Sequence, residues 1–223
     1  FETDSISFDR YLHAESDPAS IADNMINALF MDSTGNLWVG TSSGLDRLSK
    51  KGAGFIHYRN DPTYAKSLSY GNLVSIYEDR GGILWFGTYG GGVDKYDRHR
   101  DIFSYYRHDP NYPNSLSSNF IFPIFVDHLG FAWVGTSDSG LNRFDWSTGR
   151  VQRYQHDPKV TNSLISDRIL SLAQDQDGEL WIGTAEGLER LDPEVPYFYH
   201  YQRDASKSGS LSANIVYAVY VDR

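Results

Sequence analysis

Hydrophobic, aromatic and glycine positions return along the chain at one fixed spacing. The phrase Leu-Trp-Val-Gly-Thr at 37–41 is repeated, with related residues, at 84–88, 132–136 and 180–184. Its tryptophans are 47, 48 and 48 residues apart, and an aspartate lies six residues before each one. A further aspartate, Asp222, follows the fourth by 47 residues. A period of this length predicts that one supersecondary unit is repeated in tandem.

Within each copy the hydrophobic pattern predicts four short strands. Aliphatic residues six and three positions before the aspartate predict a first strand, and a glycine three positions after it predicts a tight turn. The tryptophan phrase predicts the second strand, and a turn that ends in glycine leads into the third. An aromatic stretch such as 103–106 predicts the fourth strand. Pro123 falls in a first strand, where proline is tolerated if that strand has a free edge.

Four antiparallel strands in about 48 residues are typical of a propeller blade. The predicted fold is therefore all-β, a partial β-propeller in a single domain that covers residues 1–223. The repeat places an outer strand, four blades and an inner strand, in that order, at residues 6–13, 25–62, 72–110, 120–158, 168–204 and 215–222. Because propellers usually close with more blades, we expect another segment of the parent chain, or a second copy in a homodimer, to complete the ring.

The composition excludes several classes of function. The 223 residues carry 20 Lys and Arg against 29 Asp and Glu, a formal charge of −9, so no nucleic-acid partner is expected. The absence of cysteine excludes disulfides, thiolate metal sites and cysteine nucleophiles. No apolar run approaches the length of a membrane span, so direct membrane insertion is not expected. The sequence has no phosphate-binding loop, and we predict no cofactor and no metal site.

Three motifs of the repeat resemble those of a known family. Gly-x-Leu-Trp-x-Gly-Thr, the following Gly-Leu-x-Arg-x-Asp and an Asp-Pro…Ser-Leu-Ser loop resemble the two-component regulator propeller repeat, in copies at 35–48, 82–97, 130–145 and 178–192. The resemblance implies a periplasmic sensor segment of a membrane-bound signal-transduction regulator, whose ligands are mostly glycans or their breakdown products. It also implies a histidine kinase or diguanylate cyclase output domain elsewhere in the parent protein, since these residues contain no such motif.

The residues that keep the repeat are expected to be structural. The strict period of the four tryptophans favours packing between blades over sugar stacking. The aspartates before them open tight turns, which explains their position without any chemistry. His13, His108 and His156 share one repeat position and would lie on different blades, too far apart to bind one metal ion. The repeat itself therefore provides no catalytic residue.

The residues that break the repeat are the functional candidates. They lie in the hairpins between second and third strands and in the inter-blade loops before the first strands, which share one face of a propeller. The predicted ligand site consists of Tyr70, Tyr89, Asn119, Phe120, Asp138, Arg168 and Glu186. The aromatic residues would form an apolar platform, and the asparagine and carboxylates would bind hydroxyl groups. Strongly anionic glycans are not expected as ligands of this acidic protein unless a local basic pocket exists around Arg168.

Two other functions stay open at this point. Asp138 and Glu186 occupy matching places in successive blades, so a pair of carboxylates in a carbohydrate-active hydrolase or lyase is conceivable. The flat face of the propeller could instead bind protein, as an interaction or dimerisation scaffold. Because the chain contains no catalytic motif and its loops vary, we predict a ligand-sensing segment that is not itself an enzyme.

Overall fold

The computed structural model describes residues 8–50 and 54–222, which form sixteen strands in four antiparallel sheets. Each sheet contains four consecutive strands, and we number the sheets as blades 1 to 4. Blade 1 contains β1 (Ile26–Met31), β2 (Leu37–Thr41), β3 (Gly44–Leu48) and β4 (Phe55–Tyr58). Blade 2 contains β5 (Leu73–Glu78), β6 (Leu84–Thr88), β7 (Gly92–Asp97) and β8 (Ile102–Tyr106). Blade 3 contains β9 (Ile121–Val126), β10 (Ala132–Thr136), β11 (Leu141–Asp145) and β12 (Arg150–Tyr154). Blade 4 contains β13 (Ile169–Gln174), β14 (Leu180–Thr184), β15 (Leu188–Asp192) and β16 (Tyr197–Tyr201).

The predicted fold class is confirmed, because every blade is a four-stranded antiparallel meander. The turn between first and second strands follows the predicted chemistry. In blade 1, Oδ1 of Asp32 accepts hydrogen bonds from the backbone N–H groups of Thr34 and Asn36, at 3.0 and 2.9 Å. Gly35 has a φ of +77°, which a residue with a Cβ rarely adopts. The aspartate therefore satisfies the turn while glycine supplies its conformation.

The first strand of each blade is an edge strand and pairs only with the second strand. Each one carries an irregularity in its register, as between Leu73 and Ser75 in β5. In β9 the irregular segment contains Pro123, which removes no ladder hydrogen bond because it lies at the sheet edge. The bulges re-aim the side chains near the start of each first strand.

Successive blades approach each other through the glycine of the tryptophan phrase. A Cβ added to Gly135 would lie 2.6 Å from Cγ2 of Ile169 and 2.7 Å from Cγ of Pro123. Ile169 is the first aliphatic residue of blade 4 and is completely buried. Because only glycine permits this approach, the repeat fixes the spacing between blades as well as the strands within them.

The two ends of the chain differ from the prediction. Residues 8–13 and 215–222 are not in strands, and residues 6 and 7 lie outside the described part of the chain. The segment 215–222 is nevertheless attached to blade 4, because Val216 N–H donates to the carbonyl of Thr184 at 3.0 Å. A strand exists only when it has a ladder partner, and neither segment has one among the described residues.

Blade 1 and blade 4 each have one face that no other blade covers among the described residues. Ile26, Leu29 and Met31 on β1 are 41, 66 and 59% exposed, whereas Leu73, the counterpart of Ile26 in blade 2, is fully buried. On the other side, Trp181 is half-buried while the three preceding repeat tryptophans are buried. The aliphatic residues of a first strand thus become buried only where another blade packs against them.

Candidate functional site

The repeated tryptophans and aspartates form a structural unit in every blade. Each indole N–H donates to the aspartate six residues earlier, at 2.8, 2.9, 2.9 and 2.7 Å in blades 1 to 4. A basic residue lies directly opposite each tryptophan in the ladder, and its charge lies 5.3 to 6.0 Å from the ring centroid. These cations are Arg47, Lys95, Arg143 and Arg190. The prediction that these tryptophans and aspartates are structural is confirmed.

The three histidines at one repeat position also have a structural role. Nδ1 of His13, His108 and His156 lies 2.8, 2.7 and 2.6 Å from the carbonyl oxygens of Ile21, Leu116 and Leu164. Each bond joins the end of a fourth strand, or of the segment in its place, to the following inter-blade loop. In the described parts of the chain, no group of three or more His, Cys, Asp or Glu side chains could hold a metal ion.

Three of the predicted site residues come together at the junction of blades 2 and 3. The rings of Tyr89 and Phe120 have centroids 5.0 Å apart, and a short β-bridge joins the two residues. Phe122 adds a third ring, 5.7 Å from that of Tyr89. The ring of Tyr70 lies over the Tyr89 hairpin, against Gly90. We call Tyr70, Tyr89, Phe120 and Phe122 the aromatic cluster.

The aromatic cluster combines exposure with a fixed backbone. Tyr70, Tyr89 and Phe120 remain 47, 38 and 41% exposed. The N–H groups of Gly90 and Gly92 both donate to the carbonyl of Asn119, at 3.0 and 3.1 Å. These bonds connect the hairpin of blade 2 to the loop before blade 3. Exposed aromatic rings that are already ordered lose little entropy when a ligand packs on them.

Gly90 makes room for the ring of Tyr70. Its φ of +133° belongs to a region that favours glycine. A Cβ at this position would lie only 3.1 Å from Cε1 of Tyr70. Gly90 is therefore required by the backbone conformation and by the neighbouring ring together.

The other four predicted residues behave differently. Asn119 is used within the protein, because its Oδ1 accepts the N–H of His108 at 2.8 Å. Asp138, Arg168 and Glu186 have exposed side chains on the hairpins and loop of blades 3 and 4. In the described regions, no ion pair joins these three side chains to one another or to the aromatic cluster. The structure therefore brings together the aromatic half of the predicted site only.

Clefts between blades lie on the opposite face, where the aspartate turns are. Sequence reasoning missed them. A cleft of ≈ 420 Å³ separates blades 1 and 2, one of ≈ 280 Å³ separates blades 2 and 3, and one of ≈ 350 Å³ separates blades 3 and 4. None of these three clefts is lined by a residue of the predicted ligand site. One sequence feature could have drawn attention to this face, because Trp146 is the single tryptophan outside the repeat, and it lines the cleft between blades 2 and 3.

Three segments of the repeat match a known protein family. A family model described as two component regulator propeller matches residues 20–43, 67–90 and 163–186. These segments each contain an inter-blade loop, the aspartate turn and the tryptophan phrase of one blade. Three segments of the chain thus match the two component regulator propeller repeat. The resemblance seen in the sequence is therefore confirmed. No curated protein matches the chain.

Solved structures show the same fold in longer proteins. The extracellular domain of the hybrid two component system BT3049 from B. thetaiotaomicron is 26% identical, with a TM-score of 0.73 over 86% of this chain and 26% of that chain. The extracellular domain of BT4673 from the same organism is 22% identical, with a TM-score of 0.72 over 96% of this chain and 26% of that chain. PorZ, a surface component of the type-IX secretion system of Porphyromonas gingivalis, is 18% identical. Its TM-score is 0.65, over 96% of this chain and 32% of the PorZ chain.

The chain therefore spans about a quarter of the two B. thetaiotaomicron domains that it matches, 26% in each case. At 22 and 18% identity, BT4673 and PorZ show the fold alone. In the part of the chain that the structure describes, no helix has the length and apolar character needed to cross a bilayer.

Proposed function

We propose that this chain is a ligand-sensing segment of an extracytoplasmic propeller in a signal-transduction regulator. The repeats are those of regulator propellers, and the first structure described above is the extracellular domain of a hybrid two component system. In this proposal the segment lies in the periplasm and binds a ligand on its hairpin face. A kinase or cyclase domain elsewhere in the parent protein responds to the bound ligand.

The aromatic cluster is the observation that supports ligand binding most directly. Its rings are exposed, yet the bonds to the carbonyl of Asn119 hold the hairpin that carries them. An ordered aromatic surface of this kind suits the apolar face of a pyranose or furanose ring, because the C–H groups of a sugar pack on an aromatic ring. We therefore propose a neutral carbohydrate as the ligand, with hydroxyl contacts provided by polar side chains around the rings.

The enzyme alternative receives less support from the geometry. Asp138 and Glu186 lie on separate hairpins, in blades 3 and 4, and both side chains are exposed. A hydrolytic pair of carboxylates acts across a substrate held between them. No cleft described above contains either residue. We therefore propose that the chain senses a carbohydrate and does not hydrolyse it. Hydrolysis would be detected in the same titrations as the release of shorter sugars.

A further part of the proposal concerns the open sides of blades 1 and 4. The exposed Ile26, Leu29 and Met31 occupy positions that are covered by the preceding blade elsewhere in the molecule. Because the chain matches only 26% of the B. thetaiotaomicron domain, we propose that further blades of the parent protein cover this side. A homodimer of the segment is the competing arrangement, and the molar mass of the 223-residue chain in solution distinguishes the two.

The ligand proposal is tested by titrating neutral linear pentasaccharides of glucose, xylose, mannose and arabinose into the chain and its variants. We expect at least one to bind, and Tyr89→Ala and Phe120→Ala to weaken that binding by about tenfold or more. Tyr112→Ala is the matched control, because Tyr112 is 55% exposed but lies outside the aromatic cluster. Equal affinity in the cluster variants and the wild type would show that the ligand does not bind on the hairpin face.

A further inference from the structure

The cleft between blades 1 and 2 contains an unusual concentration of positive charge. It has a volume of ≈ 420 Å³, within the range of small-molecule sites. Three cationic side chains line it, together with one carboxylate and one amide: Arg47, Lys50, Arg98, Asp32 and Asn36. The face on which it lies is opposite to the aromatic cluster, and the protein as a whole carries a charge of −9.

Blade 4 shows one way in which an arginine at this place is neutralised. Arg190 lies opposite Trp181 in the ladder, and its Nη1 is 2.9 Å from Oε2 of Glu179. Arg47 lies opposite Trp38 in the same way, with its charge 5.4 Å from the ring centroid. The two arginines thus stand at equivalent positions of the repeat, each over the tryptophan of its own blade.

The partner carboxylate is missing in blade 1. Asn36 stands two residues before Trp38, where blade 4 has Glu179 two residues before Trp181. The amide of Asn36 is engaged elsewhere, because its Nδ2 donates to Oδ2 of Asp32 at 2.9 Å. Among the described residues, Arg47 forms no ion pair. Its guanidinium is therefore uncompensated at the place where Arg190 has a carboxylate.

The space beside Arg47 is also left open by a difference between blades. In blade 3, Trp146 stacks on Trp85 with centroids 3.7 Å apart and fills the corresponding position. Blade 2 has Arg98 there, which pairs with Glu78 at 2.6 Å and lies 3.6 Å from Asp32. The Nε atom of Arg98 is buried and has no hydrogen-bond partner. The indole that covers Trp85 between blades 2 and 3 is thus replaced by a cation between blades 1 and 2.

The carboxylates near this cleft do not neutralise Arg47. Two of them already accept hydrogen bonds from other groups: Asp32 from Trp38, and Glu78 from Ser33 and Arg98. Hydrogen bonds from Trp38 and Asn36 outweigh the effect of burial and hold the pKa of Asp32 well below its usual value, so Asp32 stays ionised. A third carboxylate, Asp101, stands behind the lining and accepts the hydroxyl of Tyr96 at 2.6 Å. Among the described residues, none of these three carboxylates forms an ion pair with Arg47, so its guanidinium stays available to an anion.

We propose that this cleft binds a carboxylate-bearing small molecule, whose carboxylate stands against Arg47 as Glu179 stands against Arg190. Stacking on Trp38 and Tyr58 holds the guanidinium in place for this contact. Lys50 and Arg98 add long-range attraction to the same anion. The shared chemistry is the carboxylate, which a sugar acid or a peptide could provide.

The test uses a substitution that the protein itself suggests. Asn36→Glu gives blade 1 the carboxylate that blade 4 has, so the variant is expected to fold and to neutralise Arg47 internally. Asn36→Gln is the matched control, since the glutamine side chain is as long as that of glutamate but carries no charge. The probes are glucuronate, N-acetylglycine and neutral glucose, titrated at low salt while the indole N–H signal of Trp38 is followed by NMR.

We expect glucuronate, N-acetylglycine or both to shift this signal, and glucose to leave it unchanged. Binding should be about tenfold weaker in Asn36→Glu and retained in Asn36→Gln. A preference for one carboxylate probe identifies sugar acids or peptides as the source. Arg98→Trp, which gives blade 2 the residue that blade 3 has as Trp146, should block the cleft and abolish the shift.

The proposal is overturned if neither carboxylate shifts the Trp38 signal, or if Asn36→Glu binds as the wild type does. It is independent of the hairpin-face proposal, because Tyr89→Ala should leave carboxylate binding unchanged. Loss of carboxylate binding in Tyr89→Ala would contradict the separation of the two sites.

Discussion

Oδ2 of Asp32 accepts a hydrogen bond from the indole N–H of Trp38 at 2.8 Å. The other oxygen of the same carboxylate accepts two backbone N–H groups of the turn, those of Thr34 and Asn36. One side chain therefore shapes the turn between the first two strands and fixes the ring that faces the next blade. This double role explains why the aspartate and the tryptophan keep a separation of six residues in all four blades.

Removal of this aspartate should destabilise an inner blade strongly. In Asp127→Ala, the buried indole N–H of Trp133 and two turn N–H groups lose their acceptor. We expect a loss of about 2–4 kcal/mol in the free energy of unfolding, measured with urea. Asp175→Ala is the control, because Trp181 is only half-buried and water can replace its partner. Equal losses in the two variants would show that burial of the indole does not set the cost.

The close approach of blades should make the glycine of the tryptophan phrase irreplaceable. Gly135→Ala forces a methyl group against Ile169 and Pro123. We expect a destabilisation of about 1–3 kcal/mol, measured by thermal or urea unfolding. Gly209→Ala should change stability by less than about 0.5 kcal/mol, because no heavy atom lies within 4 Å of the added Cβ. A mild effect at Gly135 would mean that the blades can move apart at little cost.

A buried carboxyl group in blade 2 should make stability depend on pH. Burial raises the pKa of Asp94 from its ordinary value of 3.8 to about 7, although Ser69 donates to it through N–H and Oγ. Between pH 4 and 7 the native protein thus keeps a proton that the unfolded chain releases. The stability associated with this proton is complete below about pH 4 and is lost as the pH rises through 7.

Asp94→Asn removes this dependence without changing the shape of the side chain. Blade 3 already has Asn142 at the same position, with the N–H of Ser117 donating to it at 2.9 Å. Relative to the wild type, Asp94→Asn should gain on the order of 2–3 kcal/mol between pH 5 and pH 8, measured by urea unfolding. Asn142→Asp should introduce the opposite change into blade 3. Parallel pH profiles for wild type and Asp94→Asn would refute the assignment.

The repeat made much of this architecture predictable. Aliphatic residues at fixed distances from Asp79 predicted the first strand of blade 2, because burial against the preceding blade requires them there. Pro123 was predicted at a free edge and lies at one. Residues 8–13 and 215–222, where strands were predicted, are not in strands, since residue type predicts that a segment can be a strand but not that a partner strand is present.

The candidate sites were predictable only in part. Tyr70, Tyr89 and Phe120 break the repeat on one face, so their meeting could be expected from their positions. Phe122 was missed because a bulge in β9, not its place in an alternating strand, determines where its ring points. The clefts on the opposite face depend on which side chain follows the third strand, such as Arg98, and the volume that it leaves is a property of packed blades.

The central claim, that the hairpin face senses a ligand, is tested most directly by hydrogen exchange. The chain is compared with and without the pentasaccharide that binds it, and the exchange of backbone amides is followed by mass spectrometry. Our account predicts that protection increases in 69–72, 89–92 and 119–122, which carry and support the aromatic cluster. Protection confined to the turns at 127–130 and 175–178, on the opposite face, would contradict it.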